Sequence, residues 1–219
     1  MIDARMFTVG PVQENCYVVR AAGGDRAVIV DPGEEAPRLL AALDELGVTV
    51  EAILLTHTHF DHVGAVAPVA QATGAPVWCP EIERPVLADI MRWVPWPGFG
   101  PFESYEADHL LAGGETLQLA GMTFDVAFTP GHSPGHVTYA VVADDDREAA
   151  PALFSGDVLF QGSIGRTDLP GGDHARLLQS IAELLDAYPD EAVVHPGHMG
   201  ITTLGAERAS NPFLQALAR

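Results

Sequence analysis

Three histidines and one aspartate lie within six consecutive residues of this chain. They are His57, His59, Asp61 and His62, and they follow residues 52–55, an apolar run typical of a strand. Imidazole and carboxylate together are ligands for zinc, iron or manganese. Ligand-type side chains that directly follow a strand predict a metal site on a loop at the edge of a sheet.

Four other apolar runs also end in a turn that carries a ligand-type residue. These residues are Asp31, His132, Asp157 and His198. If each run is a strand, five strand ends converge on one site. The alternative, in which each histidine is a separate hydrogen-bonded residue, fits a single histidine better than this repeated pattern.

The number of ligand-type side chains predicts two metal ions. We expect His57 and His59 to reach one ion and Asp61 and His62 to reach its neighbour. Asp157 is the best candidate for a carboxylate that both ions share. Zinc is the first choice for this ligand set, and iron and manganese suit the same nitrogen and oxygen donors.

Two residues near these ligands are expected to support them rather than to bind metal. Asp31, at the end of its own strand, is expected to hydrogen-bond a ligand histidine. The alternative for Asp31 is an ordinary turn carboxylate before Pro32 and Gly33. His136 is interpreted as structural, with a hydrogen bond to a ligand as the alternative.

Charge and composition exclude several function classes. The 219 residues include 11 basic and 30 acidic side chains, for a formal net charge of −19. Such a chain repels phosphate backbones, so we expect no nucleic-acid partner. Every basic residue is arginine, which excludes lysine Schiff bases and lysine nucleophiles.

The apolar runs are too short to span a bilayer, and the N-terminus does not resemble a signal peptide. We therefore expect no membrane association and a cytoplasmic location. Cys16 and Cys79 both lie in strand-like runs, so two buried free thiols are favoured over a disulfide. A hydrophobic content of 47% and this length predict a single domain over residues 1–219.

Hydrophobic periodicity predicts an α/β protein with two strand-rich halves interleaved with helices. Helices are predicted over residues 35–46 and 173–188, and a third from about Ala67 to Gly74. Residues 93–102 are aromatic but rich in proline and glycine, which indicates a loop that lines or covers a pocket, or that packs on the core. Strands are predicted near 6–9, 15–21, 26–31, 51–56, 76–79, 116–120, 122–128, 137–143, 151–156 and 192–195.

The pattern His57-x-His59-x-Asp61-His62, followed by His132, Asp157 and His198, resembles the metallo-β-lactamase superfamily in its glyoxalase II (hydroxyacylglutathione hydrolase) branch. Segments 160–168, 203–208 and 211–214 resemble the short bacterial members of that branch. The resemblance implies a four-layer αββα sandwich. It also implies that one metal is held by His57, His59 and His132, the other by Asp61, His62 and His198, and that Asp157 is shared.

The chain departs from the best-known glyoxalase II enzymes after the last histidine. Those enzymes continue into a helical domain whose basic residues hold glutathione, and no such C-terminal domain is expected here. Arg166 is the one basic residue near the motifs and the candidate for substrate binding. The alternative, which we favour, is that Arg166 pairs with Asp168 and fixes the loop.

Two metals and the resemblance together predict hydrolysis of a small-molecule thioester, with S-D-lactoylglutathione or an analogue as substrate. A hydroxide that bridges two metals is a strong nucleophile near neutral pH. Asp61 and Asp157 are the catalytic candidates, because Asp61 could orient the hydroxide and Asp157 bridges the metals. The thiolate leaves readily, since ordinary thiols have a pKa of about 8.5.

Several other activities remain open. The resemblance extends to sulfur (persulfide) dioxygenases of the same superfamily, which would use one iron held by two histidines and one aspartate. Lactone or ester hydrolysis would follow from the same nucleophile. Nucleases of this fold, true β-lactamases and a non-catalytic metal-binding module fit the sequence less well.

The shared position of Asp157 leads to a first prediction. We expect Asp157→Ala to lower the metal content of the purified protein and to abolish hydrolysis, because both ions would lose a ligand. Metal analysis and a thioester assay on the same sample measure the two effects. A fully active Asp157→Ala protein would show that Asp157 does not bridge the metals.

Overall fold

Two six-stranded β-sheets form the centre of the protein. The structure is a computed structural model that describes residues 1–94 and 96–215. The first sheet has the strand order β1-β2-β3-β4-β5-β6. Its strands are β1 (Ile2–Val9), β2 (Glu14–Ala21), β3 (Arg26–Val30), β4 (Thr49–Leu54), β5 (Val77–Pro80) and β6 (His109–Leu111).

Strands β1 to β3 are antiparallel, whereas β3 to β6 are parallel to one another. Parallel strands end at the same edge of a sheet. In the register of β3 and β4, Val30 lies opposite Leu54. The backbone N–H of Asp31 donates to the carbonyl of Leu54 at 3.0 Å, so the residues that follow the two strands emerge side by side.

The second sheet has the order β14-β13-β10-β9-β8-β7. Only β10 and β13 are parallel among its pairs. A separate hairpin joins β11 (Leu159–Phe160) to β12 (Ser163–Ile164). The strands of the sheet are β7 (Thr116–Leu119), β8 (Met122–Phe128), β9 (Val137–Ala143), β10 (Ala152–Gly156), β13 (Val193–Pro196) and β14 (Thr202–Thr203).

Seven α-helices and one short 3-10 turn, Glu81–Glu83, connect the strands of the described part of the chain. The longest helix begins after Asp173, whose carboxylate accepts a hydrogen bond from the backbone N–H of Arg176 at 3.0 Å. This is a typical N-terminal cap. The helices are α1 (Ala36–Leu46), α2 (Phe60–Val63), α3 (Val66–Thr73), α4 (Arg84–Leu87), α5 (Ile90–Trp93), α6 (His174–Ala187) and α7 (Leu204–Ser210).

Alternate residues of the central strands enter different hydrophobic layers. In β3, Val28 and Val30 face the second sheet, whereas Ala27 and Ile29 pack with the helices α1 and α3. Both faces of β3 are therefore buried, which explains its continuous apolar sequence. The outer face of the second sheet packs in the same way against α6 and α7.

The resulting order of layers is helix, sheet, sheet, helix. The predicted α/β class and the four-layer αββα sandwich are therefore confirmed. Most predicted strands end within two residues of the observed ones, and the helices predicted over 35–46 and 173–188 match α1 and α6.

The sequence prediction differed from the structure at several places. The strand predicted from residue 6 begins at Ile2, because it pairs along its whole length with β2. The helix predicted from Ala67 begins at Val66. The short strands β6, β11, β12 and β14 were missed, and none exceeds three residues. In the predicted loop 93–102, Pro95 lies outside the described residues.

Cys16 and Cys79 are both buried free thiols, as predicted. Among the described residues, no helix is both long enough and apolar enough to cross a membrane.

Phe124 tests the importance of the layer between the two sheets. It is fully buried there on β8, whereas Phe128 on the same strand is 39% exposed. We expect Phe124→Ala to lower the free energy of unfolding by about 3–5 kcal/mol, because it removes apolar contacts and leaves a cavity. Denaturant unfolding measures the loss. Phe128→Ala is the matched control and should cost clearly less; equal losses would contradict this account of the core.

Candidate metal centre

The ligand-type residues predicted from the sequence come together where strands of both sheets end. The loop after β4 supplies His57 and His59, and the short helix α2 supplies Asp61 and His62. The loops after β8, β10 and β13 supply the other three, which are His132, Asp157 and His198. The sandwich therefore brings all seven side chains to one edge. Their role as metal ligands stays a prediction.

His57, His59 and His132 form the first group. One ring nitrogen of each lies within 4.8 Å of the others. His59 Nδ1 and His132 Nε2 are 2.7 Å apart. His57 is buried below these two rings, with centroid distances of 4.8 Å to each. Three converging imidazole nitrogens are a suitable set for one zinc-type ion.

Asp61, His62 and His198 form the second group, also within 4.8 Å of one another. Asp157 lies between the two groups. Its Oδ2 is 3.4 Å from His132 Nε2 in the first group and 3.6 Å from His198 Nε2 in the second. Its Oδ1 is 3.4 Å from His62 Nε2. This is the placement that a shared carboxylate requires.

Three buried atoms at the centre fit metal binding because they have no other partner. His57 Nε2, His62 Nε2 and Asp157 Oδ1 make no hydrogen bond with any described residue. A buried polar atom without a partner costs about 1–3 kcal/mol. A divalent cation would supply the missing partner to all three, so the residues present fit a metal centre.

The opposite nitrogens of the histidine rings are held by hydrogen bonds. Asp31 accepts hydrogen bonds from the backbone N–H and the hydroxyl of Thr56, at 2.7 and 2.6 Å, and from His62 Nδ1 at 3.1 Å. The Thr56 hydroxyl in turn accepts from His57 Nδ1 at 3.0 Å. This network engages Nδ1 of both rings and aims Nε2 of both at the centre. The expected hydrogen bond from Asp31 to a histidine of the cluster is present.

The rings of the other loops are fixed by backbone carbonyls. His132 Nδ1 donates to the carbonyl of Arg166 at 2.8 Å, and His198 Nδ1 donates to that of Gln13 at 3.2 Å. The side chain of Arg166 forms two 2.7 Å hydrogen bonds with Asp168, as the favoured alternative predicted. A role of Arg166 in substrate binding stays a prediction.

His136 hydrogen-bonds the backbone of Asp157. Its Nε2 accepts from the backbone N–H of Asp157 at 3.1 Å, and its Nδ1 lies 3.1 Å from the hydroxyl of Thr129. Its ring also stacks on His57, with centroids 4.9 Å apart. His136 therefore hydrogen-bonds a ligand-type residue, which is the alternative interpretation, and it also packs on His57.

Two glycines leave room for the centre. Gly156 has φ of 46°, and a Cβ there would collide with Thr56 and His136. A Cβ on Gly197 would collide with Asp157 and His62. Any larger residue at either position would displace the side chains around Asp157.

Sequence reasoning missed Glu83, which joins two of the ligand loops. Its buried carboxylate accepts hydrogen bonds from the Thr58 hydroxyl at 2.8 Å, the Ser133 hydroxyl at 2.7 Å and the Gly135 N–H at 2.8 Å. Thr58 separates His57 from His59, and Ser133 follows His132. No sequence motif surrounds Glu83, so its role can be recognised only from its contacts with segments that are distant in the chain.

Glu14 was also missed. It is fully buried behind His62, with Oε1 3.7 Å from His62 Nδ1, and neither carboxylate oxygen has a hydrogen-bond partner among the described residues. Burial raises the pKa of Glu14 well above its usual range, although His62 partly opposes this. The surroundings of Glu14 therefore favour its uncharged form.

Two imidazoles of the first group, His57 and His59, favour the uncharged form. Burial, and next the neighbouring His62, hold the pKa of His57 well below its usual range. Burial and His132 lower the pKa of His59 to about 3. A neutral imidazole is the form that binds a metal, so His57 and His59 can accept a cation near neutral pH.

The second group has the opposite electrostatics. Burial opposes the charged form of His62, but the carboxylates of Asp157 and Asp61 outweigh it and raise the pKa of His62. Burial likewise opposes ionisation of Asp157, yet His62 and His198 hold its pKa below the usual range. Protons and a divalent cation therefore compete for the same place between these residues.

A cavity of about 710 Å³ opens onto the centre. Asp61, His132 and Asp157 lie in its wall, so a small molecule in the cavity can reach both groups. Trp93 and Trp96 also line it, which confirms, for the described residues, the prediction that the aromatic loop lines a pocket.

Glu83→Gln tests the bridge between the ligand loops. The Glu83 carboxylate accepts three hydrogen bonds, and in the glutamine variant an NH₂ group, which can only donate, replaces one of its two oxygens. We therefore expect the free energy of unfolding to fall by about 1–3 kcal/mol. Zinc affinity should fall by about 10–100-fold, because the loops of His59 and His132 lose their common support. Denaturant unfolding of the metal-free protein and a competitive zinc titration measure these effects. Glu81→Gln, an exposed position in the same turn, is the matched control; equal results for the two variants would contradict the role of Glu83.

Comparison with known proteins agrees with this geometry. The model of the metallo-β-lactamase superfamily matches residues 9–198, which include all seven ligand-type residues. The hydroxyacylglutathione hydrolase GloC of Haemophilus influenzae (strain ATCC 51907 / DSM 11121 / KW20 / Rd) is 35% identical, over 98% of this chain and 99% of that protein.

Two solved structures are also similar. The BLEG-1 B3 metallo-β-lactamase is 43% identical with a TM-score of 0.87, over 98% of this chain and 99% of its own. TTHA1623 in a di-iron-bound form is 43% identical with a TM-score of 0.81, over 96% of this chain and 100% of its own. The fold and the histidine-rich centre indicate a metal-dependent hydrolase, and the chain belongs to the metallo-β-lactamase superfamily.

Proposed function

We propose that this protein is a metal-dependent thioesterase of the glyoxalase II type, which hydrolyses hydroxyacyl esters of a small thiol. One observation carries the proposal. Two groups of ligand-type side chains share the carboxylate of Asp157 at the wall of a cavity large enough for a small thioester. The similarity to a hydroxyacylglutathione hydrolase over almost the whole chain supports the same reaction.

In this proposal the chain holds two divalent ions. His57, His59 and His132 would bind one ion, Asp61, His62 and His198 the other, and Asp157 both. Such ions act as Lewis acids towards a carbonyl and lower the pKa of a bound water to about 7.

The protein side chains then position the reactants. Asp61 lies in the cavity wall, and His62 and His198 help to hold its pKa below the usual range although burial opposes this, so its carboxylate can accept a hydrogen bond from the attacking water. Water adds its oxygen to the thioester carbonyl, and the C–S bond breaks to give a carboxylate and a thiol. The thiolate needs little help from an acid, because ordinary thiols have a pKa of about 8.5.

A cysteine nucleophile does not fit this site. Cys16 and Cys79 are both buried, and burial raises the pKa of each thiol. Neither lines the cavity. Direct attack by water is therefore the route that the described residues favour.

Zinc remains our first proposal for the metal, and the di-iron form of TTHA1623 makes iron the first alternative to test. The same centre would also suit a lactone. Persulfide oxidation with one iron, and β-lactam hydrolysis as the name of BLEG-1 suggests, are the other activities to measure.

The test is release of free thiol from S-D-lactoylglutathione, before and after removal of metal with a chelator. We expect the chelator to abolish release, and reloading with zinc, iron or manganese to restore it with at least one of them. His132→Ala should lower both the metal content and the rate, because the first group loses one of three nitrogens. His174→Ala, an exposed histidine on α6, is the control and should change neither.

Some outcomes would contradict the proposal. Equal rates for metal-free and metal-loaded protein would exclude a metal-dependent reaction. No release of thiol from any thioester by a metal-loaded sample would exclude the thioesterase. Oxygen consumption with a persulfide, or hydrolysis of a lactone or a β-lactam, would then identify the alternative.

A further inference from the structure

The cavity has a polar end and an apolar wall. The metal centre forms the polar end. The apolar wall, as we name it, consists of Phe60, Ile82, Val86, Ile90, Trp93 and Trp96. Trp93 and Trp96 are 48% and 41% exposed, although large aromatic side chains gain most from burial. Exposed aromatic side chains that line a concave site indicate that a ligand covers them.

Packing fixes the apolar wall relative to the metal centre. Phe60 directly follows His59, and its ring centroid lies 4.8 Å from that of Phe99 and 6.0 Å from that of Phe102. Trp96 lies at 6.1 Å from Phe60 on the same cluster. A group that binds the wall is therefore held at a defined place relative to His59.

Outside the metal centre, the cavity offers little charge compensation to an anionic ligand arm. Asp61 and Asp157 belong to the centre, where the proposed ions would offset their charge, Glu83 is a further carboxylate of the lining, and Arg166 is the one arginine among the described lining residues. Nε and Nη2 of Arg166, which form one edge of its guanidinium, each donate to Asp168 at 2.7 Å, and the guanidinium lies 5.5 Å above the ring of Trp96. The charge of Arg166 is thus already compensated.

Glutathione would be a poor match for this surface. Its two carboxylates outnumber its one ammonium, and the strongest hydrogen bonds to a carboxylate come from a free cation, above all arginine. The net charge of −19 adds repulsion over a longer range.

From this arrangement we infer that the site selects thioesters whose thiol carrier is uncharged and apolar, held against the wall of Trp93 and Trp96, over thioesters of glutathione. The inference rests on the proposed thioester hydrolysis and specifies its substrate class. The two parts of the substrate then bind at different places in the cavity. The acyl carbonyl lies at the metal centre, and the carrier lies on the apolar wall.

The first experiment compares two esters with the same acyl group, S-D-lactoyl-N-acetylcysteamine, which is neutral, and S-D-lactoylglutathione. We expect kcat/KM to be at least about tenfold higher for the neutral ester, although it offers fewer atoms for contact. An equal or higher value for the glutathione ester would overturn the inference and leave the thioesterase intact. Failure of both esters would instead count against the proposed function.

A binding measurement tests the inference without turnover. S-Hexyl-N-acetylcysteamine and S-hexylglutathione are thioethers that cannot be hydrolysed. A change in tryptophan fluorescence on binding reports on Trp93 and Trp96, which line the cavity, whereas the third tryptophan, Trp78, is not among the described lining residues. We expect tighter binding of the neutral thioether, and weaker binding of it by Trp96→Ala. Tighter binding of S-hexylglutathione would overturn the inference even if no ester is hydrolysed.

Asp168→Asn tests whether a free Arg166 makes the site more favourable to the glutathione ester. It releases Arg166, so the ratio of the two kcat/KM values should shift towards the glutathione ester, by up to about fivefold for an exposed pair. Asp190→Asn, which breaks a comparable exposed pair with Arg208, is the matched control and should leave the ratio unchanged. An unchanged ratio in Asp168→Asn would show that the Arg166–Asp168 pair does not set the preference.

Discussion

The carboxylate of Asp31 is the constraint on which the rest of the centre depends. It joins the ends of two parallel strands through Thr56, and it fixes His62 directly and His57 through the Thr56 hydroxyl. Both rings are thereby aimed at the same point from one buried anion. An isolated buried carboxylate would be costly, but this one is compensated by three hydrogen bonds.

The two sheets contribute different residues to the site. The first sheet contributes four residues within one segment, residues 57–62, which runs from the loop after β4 into α2, whereas the second contributes one residue from each of three strand ends. His132, Asp157 and His198 therefore depend on how the sheets pack, and the apolar layer between the sheets sets their distance from the cluster. Stability of the core and assembly of the metal centre are coupled for this reason.

The sequence predicted the sandwich and the cluster because both leave local signals. Buried strands appear in the sequence as continuous apolar runs. Histidines and an aspartate at such short spacing indicate a metal site. Glu83 could not be predicted, since its partner Ser133 is 50 residues away and nothing near it in the chain indicates contact. The strand Thr202–Thr203 was missed for the same reason: pairing with β13, not local preference, forms it.

Gly156 and Gly197 have a consequence for how variation in this chain should be interpreted. At both positions the atoms of the centre leave no space for a side chain. These glycines therefore contribute by leaving that space to the neighbouring side chains. In a saturation-mutagenesis experiment these two positions would be as intolerant as the ligands themselves. Intolerance to substitution therefore does not separate residues that carry out the chemistry from residues that make room for it.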